Sequence, residues 1–229
     1  LILGVATRLW ISWRRFVYRD SVLFVVLGID IPPEEIKKPN AIENFISQLY
    51  AVKARFNWYE KWWKGQYTLQ TSLEIIGQDG YVQFAAFVPA KYQTLFEKAI
   101  YAQYPDADIS VILDYTASIT EDDLISENDA GRYEMWGTEF ALTAPAHYPI
   151  RTYLLFSDDS GYEFNDPLAS VLEMLSHLKR GERFWYQVTI TPTRKKWQNQ
   201  GMQAIRAIVE GTELKKGSIV PKFVAHFFY

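Results

Sequence analysis

The chain contains no cysteine, and only three of its 229 residues are histidine. The absence of cysteine excludes disulfides, cysteine-ligated zinc, iron–sulfur clusters and thiol catalysis. His147, His177 and His226 do not form an HExxH or similar metal-binding spacing. A Gly-x-Ser-x-Gly nucleophile motif is also absent from the sequence. We therefore expect no catalytic residue, no cofactor site, no metal site and no small-molecule substrate.

Two segments resemble ion-binding or phosphate-binding loops but lack their defining residues. In residues 211–218 (GTELKKGS), Lys216 precedes Gly217, whereas a phosphate-binding loop needs Gly-Lys-Ser/Thr so that the lysine reaches the phosphates. The acidic residues between positions 121 and 129 lack the alternating ladder and distal glutamate of a calcium loop. Both segments are interpreted as solvated surface.

The sequence also argues against direct contact with nucleic acid. The formal net charge is −3, whereas nucleic-acid binders carry a clear excess of basic residues. Residues 80–87 (GYVQFAAF) look like the aromatic strand of RNA-binding domains, but Asp79 stands where a lysine or arginine is expected. Val82 likewise replaces a small residue. This segment is therefore interpreted as an ordinary strand.

Apolar and aromatic residues are plentiful. The composition is 48% hydrophobic and 22% charged, which is typical of a globular protein with a substantial core. Aromatic residues make up 16% of the chain and include 8 tryptophans. Such an excess must be buried in the core or used at an interface.

Residues 1–20 are predicted to form a membrane-proximal helix. Residues 1–5 are apolar, and tryptophan and tyrosine mixed with arginine follow, as where a membrane helix leaves the bilayer. The apolar run is shorter than the ~20 residues that span a bilayer. Because the chain begins with Leu1 instead of Met, we expect upstream residues to complete a span and the arginines to place the downstream lobes in the cytoplasm. The alternative is an amphipathic helix packed on the domain or on the membrane surface. The predicted membrane-proximal residues are Arg8, Trp10, Trp13, Arg14 and Arg15.

Residues 21–115 are predicted to form a first α+β lobe. One helix begins at Pro39 or Asn40 and another after Pro89, and the dipeptide Asp79-Gly80 indicates a hairpin. The resulting order, β-α-β-β-α-β, is that of the ferredoxin-like (split βαβ) fold, an antiparallel sheet with both helices on one face. The strands are predicted at 21–31, 67–76, 81–88 and 107–113.

The rest of the chain is predicted to form an acidic linker (116–131), a second ferredoxin-like lobe in tandem (132–211) and a segment leading to further sequence (212–229). The clearest unit of the second lobe is a helix from Asp166 to Arg180, closed by Gly181 and followed by a strand that ends at Pro192. Further strands are predicted at 132–142 and 151–156, and a further helix at 193–209.

The densest aromatic run, from Trp58 to Tyr67, is interleaved with lysines. Exposed tryptophan beside lysine marks membrane interfaces and protein–protein hot spots. The alternative is a connection whose rings cap the edge of the sheet. The predicted interface residues are Trp58, Tyr59, Trp62 and Trp63.

Residues 22–209 resemble the membrane-proximal N-terminal region found ahead of ATPase domains in type IV secretion and conjugative DNA-transfer proteins. The similarity is carried by residues 41–49 after Pro32-Pro33, by residues 58–63, by residues 97–108 (EKAIYAQYPDAD) and by residues 166–197. The resemblance implies a membrane-anchored α+β region, on the cytoplasmic face of the bacterial inner membrane, that helps to assemble a secretion motor. In that family the nucleotide chemistry belongs to a separate motor domain, and no catalytic residue is carried over to this chain.

The leading hypothesis is a non-enzymatic interaction and assembly domain that contacts the membrane and binds protein partners or further copies of itself. One alternative is a ligand-binding or hydrolytic enzyme with carboxylates between the lobes, such as Asp158, Asp159 and Glu163. Another is a structural subunit of a filament or envelope assembly. Exposed aromatic patches would favour the first hypothesis, and a deep pocket with perturbed carboxylates would favour the enzyme.

Overall fold

The protein is an α+β protein whose computed structural model describes residues 2–32, 40–118, 136–141, 168–192 and 195–211. It divides into two units. The first comprises Leu1–Ser118 and Asp166–Pro192, and the second comprises Ile119–Asn165 and Thr193–Tyr229. In the first unit the helices are α1 (Ile2–Asp20), α2 (Asn40–Leu49), α3 (Trp58–Trp62), α4 (Gln93–Tyr101) and α5 (Ala169–Ser176). The strands are β1 (Phe24–Asp30), β2 (Thr71–Gln78), β3 (Tyr81–Pro89), β4 (Asp108–Ile112) and β5 (Arg183–Ile190).

The five strands form one antiparallel sheet in the order β4-β1-β3-β2-β5. The hairpin between β2 and β3 turns at Asp79 (φ 54°) and Gly80 (φ 83°). Two consecutive residues with positive φ are what a two-residue hairpin turn of type I′ requires, and Asp-Gly adopts them readily. The predicted hairpin is confirmed.

The main core lies between the sheet and the helices α2 and α4. Leu27, Ala86 and Val88 from the strands meet Phe45 of α2 and Phe96 of α4, whose rings pack edge to face at 5.2 Å between centroids. The periodic spacing of apolar residues in both helices predicts their buried faces. For α2, the spacing of apolar residues predicts a buried stripe of Ile42, Phe45, Ile46, Leu49 and Val52. The buried face is rotated from that stripe, because Ala41, Phe45 and Leu49 are buried while Ile42 and Ile46 are exposed.

Helix α5 packs on the β2–β3 hairpin and is shorter than predicted. It ends at Ser176 instead of Arg180. Leu175 is fully buried and lies so close to Gly77 that a Cβ there would be 2.8 Å from Leu175 Cδ2. Gly181 does adopt a positive φ of 88°, but in the turn that enters β5, where its N–H donates to Asp79 Oδ1 at 2.6 Å. Gly181 therefore binds the hairpin between β2 and β3, whereas it was predicted to end helix α5.

Strand β5 does not belong to a separate lobe. It pairs with β2 over its whole length, from Thr71↔Ile190 to Gln78↔Arg183. The prediction of a second lobe over 132–211 is therefore wrong for this strand, since the free edge of β2 supplies the partner that its backbone needs. Helix α5 packs beside the same hairpin, so both α5 and β5 belong to the first unit, where β5 extends the sheet.

Of the second unit, the structure describes helix α6 (Lys195–Val209) and residues 136–141. Helix α6 confirms the helix predicted at 193–209, whereas residues 136–141, expected to be part of a strand, form none. The strand at 151–156, most of the acidic linker and residues 212–229 lie outside the described residues.

Helix α1 confirms the helix predicted for residues 1–20. Within the described ranges, no helix combines the length and the apolar character that crossing a bilayer requires.

Candidate functional site

The short helix α3 owes its start to a reciprocal capping box. Glu60 N–H donates to Asn57 Oδ1 at 2.9 Å, and Asn57 N–H donates to Glu60 Oε2 at 2.7 Å. These two bonds satisfy backbone donors that the first turn of a helix leaves unpaired. They fix where α3 begins, and thereby where its tryptophans point.

Helix α1 lies against α3, which brings the two predicted groups of site residues together. Trp10 Nε1 donates to the carbonyl oxygen of Trp62 at 3.1 Å, and Arg14 Nε donates to that of Trp63 at 2.5 Å. The rings of Trp10 and Trp63 lie 5.5 Å apart, as do those of Trp10 and Trp13. We call Trp10, Trp13, Arg14, Trp62 and Trp63 the α1–α3 surface.

Gly65 allows the two segments to approach at the level of the backbone. It is buried with φ at +70°, and a Cβ at this position would lie 2.3 Å from the carbonyl oxygen of Arg14. No side chain fits at that distance, and the left-handed conformation is itself unfavourable for other residues. Glycine is therefore required at this position for two reasons, the positive φ and the closeness of the Arg14 backbone.

The α1–α3 surface is aromatic and cationic. The Arg14 guanidinium lies 5.5 Å from the centroid of the Trp13 ring and 5.9 Å from that of Trp10, within the range of cation–π attraction. Helix α1 carries four arginines against one aspartate, although the whole chain has a net charge of −3. The surface therefore attracts negative charge.

The tryptophans of this surface are exposed. The relative exposure is 40% for Trp10, 54% for Trp13, 46% for Trp62 and 55% for Trp63. Trp58 and Tyr59, in the first turn of α3, are exposed as well. Contiguous exposed apolar area of this kind marks sites of interaction with proteins or membranes.

The remaining predicted residues flank this surface. Arg8 and Arg15 are exposed on α1, and the backbone N–H of Arg15 also lies beside Gly65. Further along α1, the Tyr18 ring packs edge to face on Tyr67 at 5.8 Å. Burial raises the pKa of Tyr67, and the nearby Arg19 and Arg15 oppose that rise. The docking of α1 thus extends from Trp10 to Tyr18.

A second arrangement, on the other face of the sheet, was not foreseen from the sequence. Glu74 of β2 is buried beside the apolar cluster of Val26, Ile76 and Ala85. Its carboxylate accepts a 2.5 Å hydrogen bond from the Tyr115 hydroxyl and a 3.3 Å bond from Gln187 Nε2.

Tyr115 completes this network. Its hydroxyl oxygen accepts a 2.7 Å hydrogen bond from Gln187 Nε2, and its ring packs edge to face on Trp185 at 5.0 Å. Burial raises the pKa of Tyr115 above its usual value, and the hydrogen bond to the Glu74 carboxylate raises it further. The network joins β2, β5 and the segment after β4, so it holds together parts of the chain that are distant in sequence.

The raised pKa of Tyr115 predicts a loss of stability in alkaline solution. The unfolded chain releases this proton near the usual value of 10.0, while the folded chain keeps it. The free energy of unfolding should therefore fall as pH rises above 10, and it should fall less in Tyr115→Phe. Urea unfolding at pH 8 and pH 10.5 measures the difference, with the exposed Tyr81→Phe as a control. An equal loss in Tyr115→Phe and wild type would contradict the prediction.

The carboxylates proposed for an interlobe enzyme site, Asp158, Asp159 and Glu163, lie outside the described residues. Among the residues that are described, no group of histidine, aspartate and glutamate is arranged to hold a metal ion.

One comparison with known families found a match. A family model described as "Domain of unknown function (DUF8128)" matches residues 29–221. The match includes α3 and the strands β2 to β5, and it begins within β1, after α1. No curated protein and no solved structure matches the chain.

Proposed function

Since the chain belongs to the DUF8128 family, whose description names no activity, we propose its function from the geometry of its surface. The protein is a non-enzymatic interaction and assembly domain, held through α1 at the cytoplasmic face of a bacterial inner membrane. The observation that supports this proposal most is the α1–α3 surface, where exposed tryptophans from two segments and the half-buried Arg14 form one patch.

The composition of this patch fits association better than catalysis. Tryptophan and arginine are the residues most enriched in binding hot spots, and tryptophan is enriched where proteins meet the membrane–water interface. Hydrogen bonds to the backbone carbonyls of Trp62 and Trp63 fix the Trp10 ring and the Arg14 guanidinium in place. A rigid patch loses little conformational entropy on binding.

The fold that we propose for the first unit is ferredoxin-like. Its support is the succession β1-α2-β2-β3-α4-β4 together with the strand order β4-β1-β3-β2, in which both connecting helices contribute to one core on one face of the sheet. Strand β5 is an addition at the β2 edge. In this proposal α1 is a membrane-proximal helix appended to the lobe.

The setting that we propose is a type IV secretion or conjugation-like machine, and its support is the resemblance of residues 22–209. The resemblance carries over no catalytic residue, so the proposed role is the positioning or assembly of a motor. A protein partner or a further copy of the chain would then bind beside the membrane contact.

The proposal predicts that Trp62→Ser together with Trp63→Ser lowers the membrane-associated fraction of the chain in bacterial cells severalfold. Both hydrogen bonds from α1 end on the backbone carbonyls of these residues, so the double variant keeps the acceptors and should keep the fold. Membrane fractionation followed by immunoblotting measures the effect, and thermal unfolding of the purified variant checks the fold.

The matched control is Tyr81→Ser with Leu113→Ser, which removes two exposed apolar side chains elsewhere in the same unit. This control should fractionate like wild type. An unchanged membrane fraction in the tryptophan variant would contradict the proposed function. If that variant unfolds, the rings belong to the core and the interface interpretation fails.

A further inference from the structure

Helix α1 has a second face, which is turned away from α3. The face towards α3 carries Trp10, Arg14 and Tyr18, each of which contacts α3 or residues 63–67 after it. On the opposite face the apolar side chains are open to solvent, with Leu9 and Phe16 each 66% exposed. At 100° per residue these positions form one stripe with two further exposed residues. The stripe consists of Val5, Leu9, Trp13 and Phe16. Trp13 lies at its edge and also belongs to the α1–α3 surface, since its ring packs beside Trp10.

A row of cations runs beside the apolar stripe. Arg8 and Arg15 are seven residues apart, which places them two turns from each other on the same side of the helix. Both are exposed, and Arg19 continues the row one turn further on. Arg14 is not part of this row, because its guanidinium is held at the carbonyl oxygen of Trp63.

An apolar stripe that contains tryptophan and is bordered by arginines is the pattern of a helix lying in a membrane interface. We propose that α1 lies in the plane of a membrane surface, with Leu9, Trp13 and Phe16 inserted among the lipids and Arg8 and Arg15 bound to anionic phospholipid headgroups. This inference rests on the proposed function and names the ligand of the membrane contact.

The positive charge of the arginine row favours anionic lipid over a second copy of the chain as the ligand of the stripe. Two copies meeting through this stripe would offer the arginine rows little opposite charge, since Asp20 is the one acidic residue of α1. In an antiparallel pair the two rows would also lie on the same flank and repel each other. Anionic headgroups instead supply the opposite charge along the whole row, and each arginine near such a surface adds to the attraction. Helix α1 is basic, whereas the chain as a whole has a net charge of −3. An anionic membrane therefore attracts α1 and repels the acidic remainder of the chain.

The contact with α3 gives the bound protein a defined orientation. The hydrogen bonds of Trp10 and Arg14, and the close approach at Gly65, fix the rotation of α1 about its own axis. With that rotation fixed, inserting the stripe also fixes which side of the first unit faces the membrane. A helix joined by a flexible linker would bind lipid but would not orient the domain.

Co-sedimentation of the purified chain with lipid vesicles tests the inference. Vesicles of phosphatidylcholine alone are compared with vesicles containing equal parts of phosphatidylcholine and phosphatidylglycerol. We expect binding to the anionic vesicles only, and weaker binding as salt concentration rises. Leu9→Ser with Phe16→Ser should weaken binding about tenfold or more, and Arg8→Gln with Arg15→Gln should do the same.

The matched control is Ile205→Ser with Ile208→Ser, which removes two exposed apolar side chains from α6. It should bind the anionic vesicles as wild type does. Circular dichroism shows whether each variant keeps the wild-type fold. Equal binding to both kinds of vesicle, or unchanged binding by the α1 variants, would overturn the inference.

The result can also separate this inference from the proposed function. The purified chain could fail to bind vesicles while the membrane fraction in cells still depends on Trp62 and Trp63. In that case the lipid ligand is wrong, and a protein partner accounts for the membrane association. If Leu9→Ser with Phe16→Ser abolishes a dimer seen by analytical ultracentrifugation, and vesicles are not bound, the stripe is covered by a second copy and the inference is overturned. If neither cells nor vesicles show association, both proposals fail.

Discussion

Replacing Gly65 with alanine is expected to release α1 from α3. A residue other than glycine at φ +70° costs about 1–2 kcal/mol, and the new Cβ would lie 2.3 Å from the carbonyl oxygen of Arg14. Because the obstructing atoms belong to the backbone, a rotamer change cannot relieve the overlap. The least costly response is for α1 to move away, which breaks the hydrogen bonds of Trp10 and Arg14. We expect trypsin to cleave α1 at its arginines at least tenfold faster, as followed by mass spectrometry.

Gly181→Ala is the matched control for this experiment. Gly181 also has a positive φ, of 88°, but an added Cβ there meets no heavy atom within 4 Å. This variant should lose about 1–2 kcal/mol of stability from backbone strain alone, with α1 cleaved at the wild-type rate. If both variants expose α1 equally, or if Gly65→Ala leaves α1 protected, the contact with Arg14 is not what holds the helix.

The parts of the fold that the sequence predicts well are those set by local signals. Asp79-Gly80 specifies a tight turn by its conformational preference alone, and the registered strands on either side follow from it. The buried face of α4 follows from the spacing of Phe96, Ala99 and Ile100. In each case the residues that determine the structure are neighbours in the sequence.

The partner of β5 could not be predicted in this way. The alternating pattern of residues 183–190 shows that a strand forms, but it does not show which edge the strand joins. The edge that β5 joins is determined by the free edge of β2, more than a hundred residues earlier, and by the contact of Leu175 with Gly77. The sequence order of elements suggested a second lobe, whereas the chain returns to complete the first sheet.

For a related reason the sequence predicts the residues of the candidate site but not the contact between its two segments. Aromatic and basic residues near Trp10 and near Trp62 each indicate an interface by composition, but their contact across 52 residues does not appear in either segment. Gly65 does not signal the contact either, because a glycine with positive φ just after a helix is the usual way in which a helix ends. Glu74 gives no signal at all, since a glutamate in an alternating strand normally faces water.

Glu74→Ala is expected to lower the free energy of unfolding by about 1–3 kcal/mol, because it removes the buried carboxylate that accepts the hydrogen bond of the half-buried Tyr115 hydroxyl. The exposed Glu173→Ala on α5 is the matched control and should cost about 0.5 kcal/mol or less. Urea unfolding followed by circular dichroism measures both.

A double-mutant cycle shows whether the loss comes from the network itself. In the Glu74→Ala background the Tyr115 hydroxyl no longer donates to the Glu74 carboxylate, so removing it with Tyr115→Phe should cost less than the same change costs in wild type. Additive losses would mean that Glu74 and Tyr115 act independently. Coupled losses would mean that the carboxylate, the phenol and Gln187 stabilise the protein as one unit, and that Glu74 is kept in the sheet to tie the segment after β4 to β2 and β5.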